Sequence, residues 1–164
     1  MKIETERLEL IVLNARRLKL WVDELPTLER ELCCHYKAEP LEGFFLEIVR
    51  GQLEITESEP NNYMWHSFWL MIRKSDRVVV GSLDFKKAPD SSGNVEIGYG
   101  LGRQFESNGY MSEAVKAICA WAFAQQGVAH VTAETEIDGY ASQRVLRRCG
   151  FALDSEGQTL WWKL

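Results

Sequence analysis

The sequence predicts one α/β (α+β) domain over residues 1–164, built on a mixed, mostly antiparallel central sheet flanked by helices. Three observations point there. Apolar spacing alternates along the chain between the two-residue period of strands and the 3.6-residue period of helices. The expected order is a strand, helices, three strands, a helix, a strand, a helix and two closing strands, which implies antiparallel neighbours plus one parallel neighbour reached through a crossover helix. No repeat, low-complexity tract or Pro- or Gly/Ser-rich linker divides the 164 residues, a length that closes a single core.

In chain order, RLELIVL (7–13) places apolar residues at alternate positions before becoming wholly apolar, so it reads as the first strand. Asn14 is the expected cap of a helix over 15–25, and helical spacing continues after Pro26 to residue 36. A further helix is expected over 41–54. SFWLMIR (67–73) and RVVVGSLDF (77–85) are β-rich runs separated by Lys74, Ser75 and Asp76, a hairpin length. The turn-forming PDSSGN (89–94) leads into the strand VEIGYGL (95–101). The longest helix covers 110–126 and HVTAETE (130–136) is a strand. YASQRVLRRC (140–149) is a helix ended by Gly150, and FALDSEGQTLWWKL (151–164) is a closing hairpin.

Composition limits function before any motif is considered. A formal net charge of -5 and the absence of a Lys/Arg cluster argue against a nucleic-acid partner, because phosphate contacts need grouped cations. The opening MKIETERLELIVL has acidic residues where a signal peptide needs a basic region, and no apolar run approaches the ~20 residues that span a bilayer. A soluble cytoplasmic protein without membrane association is therefore expected, as a monomer or homodimer. Cys33 and Cys34 are adjacent, whereas Cys119 and Cys149 are single, a pattern of buried thiols rather than of disulfides or metal ligands. His35, His66 and His130 are too scattered for a metal site, and none is expected.

One stretch carries chemistry. VEIGYGL runs through LGRQFESNGYM into the longest helix, so the loop delivers free backbone N–H groups to the positive end of a helix dipole. Gly109 lacks the Cβ that would keep an anion from the backbone, and Ser107 and Asn108 are small enough to line the same turn. Taken alone, Gly109 and Ser112 are equally well read as a plain helix start.

With VEIGYGL before it, the run Gln104, Ser107, Gly109 resembles the acetyl-CoA signature of the GNAT superfamily of N-acetyltransferases, in which Gln or Arg precedes two spaced small residues. Gly139, Tyr140, Ala141 and Ser142, followed by a helix ending at Gly150 and Phe151, are similar to that family's second motif. The opening TERLELIVL is similar to the first strand of the RimJ/RimL group, and the likeness in element order extends from residue 5 to about 156. Two positions depart from the pattern. Ser107 stands where the family has a glycine, which is compatible with a serine whose φ stays negative. Gly139 stands where the family has an asparagine that bonds the pantetheine arm.

The resemblance implies acetyl-CoA as donor, held by Leu101, Gln104, Ser107, Asn108, Gly109, Tyr110 and Met111, with the pantetheine arm between the splayed ends of VEIGYGL and VTAETE. It also implies a primary amine as acceptor. An alkylamine with an ordinary pKa of about 10.4 must lose a proton before attacking. Glu96 is the favoured acceptor of that proton, since Val95, Ile97 and Tyr99 claim the opposite face for the core; Glu134 and Glu136 are second choices. A tyrosine often protonates the leaving thiolate in this family, but Leu146 occupies its position, leaving Ser142. Trp65 and Trp69 are core aromatics or the lining of an acceptor pocket, and the glutamates of residues 29–59 are a solvated face or an attraction for a cationic amine. RimJ/RimL proteins usually continue past the position of WWKL with an acidic residue that assists the amine. Peptide N-terminus, polyamine, aminoglycoside and small metabolite all stay open as acceptors. A second reading, a GNAT-like module that binds CoA or a protein without turnover, rests on Gly139 and Leu146.

Overall fold

A computed structural model describes residues 1–164. In chain order it contains β1 (Lys2–Glu4), β2 (Leu8–Val12), α1 (Ala15–Asp23), α2 (Leu25–Leu32), β3 (His35–Tyr36), α3 (Gly43–Ser58), β4 (Phe68–Arg73), β5 (Val78–Phe85), β6 (Asn94–Leu101), α4 (Tyr110–Phe123), β7 (His130–Thr135), α5 (Tyr140–Arg148), β8 (Ala152–Glu156) and β9 (Leu160–Lys163). Eight strands lie in the order β1-β2-β4-β5-β6-β7-β9-β8, and β3 pairs in parallel with the start of β5. β6 and β7 form the other parallel pair, joined through α4; every remaining pairing is antiparallel. No helix is long and apolar enough to cross a membrane.

Alternation along the central strands divides the core in two. On one face Leu8, Leu10, Val12, Trp69, Met71, Val95, Ile97 and Ala133 pack under Met111, Val115, Ile118 and Ala122 of α4 and Leu146 of α5. On the other, Phe68, Leu70, Ile72 and Val79 pack against Leu18 and Trp21 of α1, Leu28 of α2 and Val49 of α3. β4 is therefore apolar on both sides, which explains its continuous hydrophobic run.

The feature that creates a site is where pairing stops. β6 and β7 are in register from Asn94↔His130 to Ile97↔Ala133, and beyond that β6 pairs only with β5 while β7 pairs only with β9. The sheet opens at Gly98–Leu101, leaving one backbone edge of β6 unpaired.

Several local expectations hold. Asn14 caps α1, its Oδ1 accepting the Arg17 N–H at 3.0 Å. The 74–76 hairpin and the 110-residue helix start are where the sequence puts them. Other boundaries differ. Helical spacing to residue 36 predicts a longer α2, but Cys33 adopts a left-handed φ of 49° and ends the helix, freeing His35 and Tyr36 to join β5. Arg77 reinforces that stop by donating to the Cys33 and Leu32 carbonyls. β1 is a short hairpin partner of β2 that its three residues did not signal, and α3 runs four residues past the expected 54.

Candidate active site

The N-terminus of α4 is built to leave its donors free. Gly109 precedes the helix with φ 78° and no side chain caps it, and none of the backbone N–H groups of residues 107–112 donates within the protein. Such a cluster at the positive end of a 14-residue helix has the chemistry that suits an anion. The loop is locked from outside. Glu113, in the first turn, accepts from Thr5 Oγ1 at 2.6 Å, Arg7 N at 2.8 Å and Arg7 Nε at 2.7 Å, while Arg7 Nη1 donates to the Asn108 carbonyl at 2.9 Å. Burial alone would raise the Glu113 pKa, yet the bonds from Thr5 and Arg7 outweigh it and hold the carboxyl below its ordinary value. One acidic residue thus stays ionised beside these free donors because it is committed elsewhere.

Ser107 corrects an expectation. Its φ is 62°, not negative: the position demands the left-handed backbone that the family glycine supplies, and serine adopts it at a cost of roughly 1–2 kcal/mol.

From this loop a cavity of about 410 Å³ runs between β6, α4 and α5 to the opening in the sheet. α5 lies along it. Cys149, just past the helix, donates its thiol to the Ser112 carbonyl at 3.4 Å, so the end of α5 lies beside the first turn of α4. Ser142 lies about 9 Å back along the helix, six residues at 1.5 Å each. Arg144 and Arg148, one turn apart, line the cavity between these points and form no ion pair. The cavity thus carries Arg144 and Arg148 on its α5 wall, Glu106 on the loop and Glu39 near the sheet, where it is also hydroxyl-lined.

At that sheet end the Tyr99 and Ser142 hydroxyls are 2.8 Å apart. Desolvation pushes the Tyr99 pKa up to about 12, tempered by the Ser142 bond, so the phenol keeps its proton across the physiological range. Ser142 is the third residue of α5, and Gly139 is the capping position, so the serine is not a helix cap.

On the opposite face, a second cavity of about 150 Å³ lies between β5, β6 and α3 and shares Glu39, Tyr99 and Gly100 with the first. Glu96 points to this face, next to the last paired residues of β6 and β7. Its carboxyl is raised above the ordinary value, chiefly by desolvation; Lys86 opposes the shift, and Glu134 and Asp84 add to it.

The sequence-derived residues separate into those that share a cavity and those that do not. Leu101, Ser107, Gly109, Tyr110, Met111 and Ser142 line the first cavity. Gln104 and Asn108 do not line it. Gln104 Nε2 donates to the Lys37 carbonyl at 2.7 Å, and Asn108 Nδ2 bonds the carbonyls of Phe105 and Glu106, so both shape the loop. Glu96 stands on the far side of the sheet. Glu134 accepts the Thr159 hydroxyl at 2.5 Å, and Glu136 lies beyond the end of β7. Trp65 and Trp69 pack with Trp121 and Phe85 rather than lining either cavity. Leu146 is fully buried in the core.

Four residues escaped the sequence reading, among them Arg144 and Arg148, whose place along the cavity follows from the packing of α5 beside α4. Tyr99 follows the alternation of Val95 and Ile97 and packs against the same core, but it sits where the strands part, so the residue borders both cavities while its hydroxyl meets Ser142 on the α5 side. Glu39 was one glutamate among many; only the fold brings it over β6.

Comparison with known proteins agrees with this geometry. A sequence-family model described as "Acetyltransferase (GNAT) domain" matches residues 29–152. The chain is 27% identical over 155 residues to the "Uncharacterized N-acetyltransferase YjdG" of Bacillus subtilis (strain 168), covering 88% of this chain and 92% of that protein. It is 24% identical over 147 residues to the "Uncharacterized N-acetyltransferase p20" of Bacillus licheniformis, covering 85% and 81%. Among solved structures, ribosomal-protein-S5-alanine acetyltransferase from Vibrio fischeri aligns with a TM-score of 0.72 at 15% identity, over 100% of this chain and 96% of that one. RimL, the ribosomal L7/L12 α-N-protein acetyltransferase, solved in complex with coenzyme A, aligns at 0.69 and 16% identity, over 100% and 97%. At these identities the likeness is one of fold.

Proposed function

The chain belongs to the GNAT family of acetyltransferases, enzymes that draw on acetyl-CoA, and from that premise we propose that it acetylates a primary amine by direct attack within a ternary complex. One observation carries the proposal: two cavities on opposite faces of the sheet meet where β6 and β7 separate, so donor and acceptor reach one point from different sides. Direct transfer needs no covalent acyl-enzyme in such an arrangement.

The residues present fit the donor. The free N–H groups of 107–112 suit its diphosphate, and Arg144 and Arg148 add unpaired positive charge along the same cavity. The unpaired backbone edge of Gly98–Leu101 offers amide partners to the pantetheine arm, as an added strand would use them. Gly139 has no side chain to contribute there. When bound, acetyl-CoA supplies a thioester carbonyl open to attack by a neutral amine.

The chain's own residues then manage two protons. Glu96, its carboxyl raised by desolvation, is a better base than an exposed glutamate and takes the proton from the amine. At the other end, the paired hydroxyls of Ser142 and Tyr99 deliver a proton towards the departing sulfur. Both residues line the first cavity, and the bond between their hydroxyls holds each in place.

Isothermal titration with acetyl-CoA and a thiol-release assay against peptides, polyamines and aminoglycosides test this reading. Binding with amine-dependent thiol release is expected. Binding without release across the panel would reassign the chain to a CoA-binding module without turnover, the outcome to which Gly139 and the buried Leu146 would then belong.

A further inference from the structure

The second cavity has walls of unequal character. Phe45 and Ile48 of α3 and Phe68 of β4 make one side apolar. Asp84 is only 4% exposed, and Lys86 Nζ holds its carboxylate at 2.9 Å, so that charge is compensated within the wall. Glu39 is different. Its carboxylate lies over the backbone of β6, with Oε2 only 2.6 Å from where a Cβ on Gly100 would stand, and no cation of the protein pairs with it. Gly100 is thus the residue that admits the carboxylate to the junction of the two cavities. The segment carrying it is fixed: the Tyr36 hydroxyl donates to the Glu39 carbonyl at 2.5 Å, and Gln104, on the loop of the first cavity, donates to the Lys37 carbonyl.

Glu39 is an exposed residue at the mouth of this small cavity, beside the point where the sheet opens, and a carboxylate there over the apolar wall of Phe45, Ile48 and Phe68 is complementary to a cation on a short apolar chain. Resting on the transferase reading above, we propose that Glu39 is a specificity-determining residue that binds the acceptor's ammonium group. On this proposal the cavity beneath takes a short alkyl chain. The acceptor is accordingly a primary alkylammonium of modest size. A polyhydroxylated amine such as an aminoglycoside is too bulky for about 150 Å³ and would leave the hydroxyls turned to the Phe45 and Phe68 side without partners.

The test compares wild type, Glu39→Gln and Glu39→Asp in thiol release with n-butylamine, spermidine and kanamycin, alongside the rise in Tm produced by acetyl-CoA. Wild type is expected to use n-butylamine in preference to kanamycin. Glu39→Gln should raise the n-butylamine KM about tenfold or more, as for loss of a charge-assisted bond, with kcat within about threefold. Its acetyl-CoA KM and Tm shift should match wild type, and Glu39→Asp should fall between. Added salt should lower kcat/KM for n-butylamine in wild type and leave it flat in Glu39→Gln. An unchanged amine KM in an active Glu39→Gln enzyme overturns the assignment while leaving the transferase reading intact. Equal loss of acetyl-CoA binding makes Glu39 structural and also overturns it, and preference for kanamycin overturns the apolar-chain acceptor. Acetyl-CoA binding with no thiol release by wild type from any amine overturns the transferase reading and this inference together.

Discussion

On the α4–α5 face, the cavity proposed for the donor offers main-chain N–H groups from one continuous loop, whereas on the α1–α3 face the cavity proposed for the acceptor is assembled from side chains of α3, β4, β5 and the segment before α3. The difference teaches what each site tolerates. A backbone site depends on φ and on the absence of bulk, and Ser107, at φ 62°, keeps the left-handed backbone that the family glycine supplies. A side-chain site depends on identity at scattered positions, and single substitutions redirect it. Between the two stand Glu96, Tyr99 and Ser142, where, on the proposed mechanism, the faces exchange protons.

The largest expected effect breaks that exchange. Glu96→Gln should lower kcat by about 10² to 10⁴, the range for a positioned base, and leave acetyl-CoA binding nearly unchanged. In wild type, kcat/KM should fall on the acid side as Glu96 protonates, at a pH above the ordinary carboxylate range because burial raises it. Above the amine's own pKa of about 10.4 the acceptor arrives neutral, so mutant and wild-type rates should converge. Stability moves the other way. A raised folded-state pKa means that the folded chain holds this proton more tightly than the unfolded chain. The resulting stabilisation is complete below the unfolded pKa and is lost as pH rises through the folded one. Glu96→Gln should therefore melt higher than wild type at pH 7 and lose that advantage below about pH 4. Full activity at pH 7 would transfer the role to Glu134, Glu136 or water.

The next largest effect tests the backbone side. At an acetyl-CoA concentration a hundredfold above Kd, binding adds about 2.7 kcal/mol, or on the order of 5–10 °C in Tm for a chain of this size. Gly109→Val should abolish that rise. The protein itself leaves space for a Cβ, since the nearest atom, Arg7 Nη2, would be 3.4 Å away. The obstacle is φ 78°, which a β-branched residue does not adopt, so the loop must turn its N–H groups away. An undiminished shift in a folded Gly109→Val protein would remove the diphosphate from this loop.

A smaller loss should follow from Ser142→Ala and from Tyr99→Phe, about three- to tenfold in kcat and the same at every pH, because water can protonate a thiolate with poorer geometry. If the two hydroxyls act as a pair, the double mutant should lose little more than either single one. Additive losses would separate them into independent contributions.

These ranks follow what the sequence made legible. The fold class and the donor loop were readable because they depend on periodicity and on a local spacing of Gln104, Ser107 and Gly109. The face on which Glu96 stands was readable because strand alternation sends it away from Val95 and Ile97. Tyr99 misled for the same reason: alternation places it with the core, and only the parting of β6 from β7 at Ile97↔Ala133 exposes its hydroxyl. Glu39 carried no signal, since its importance comes from a contact with Gly100 across sixty intervening residues. Cys33 hid the end of α2, because a non-glycine residue in left-handed backbone has no marker in the sequence. Local physics is written in adjacent residues; the meeting of two faces is not.

The smallest effect is also the sharpest test of the backbone side. Ser107 sits at φ 62°, a conformation that costs a residue with a Cβ roughly 1–2 kcal/mol. Glycine removes that cost but returns roughly 0.5–1 kcal/mol of it as extra freedom in the unfolded chain. Ser107→Gly should therefore be neutral to about 1 kcal/mol more stable without ligand, read as a Tm change of a few degrees at most. For acetyl-CoA the two contributions also oppose each other. The N–H groups keep their direction with less strain, while any bond from the serine hydroxyl to a phosphate oxygen, worth about 0.5–1.5 kcal/mol, is lost. An affinity within about threefold of wild type, or slightly tighter, means that the loop works through its main chain. A loss beyond about tenfold would exceed what one neutral hydroxyl supplies in a backbone site. It would place Ser107 among the identity-dependent side chains, and the contrast between the two faces would fail at its centre.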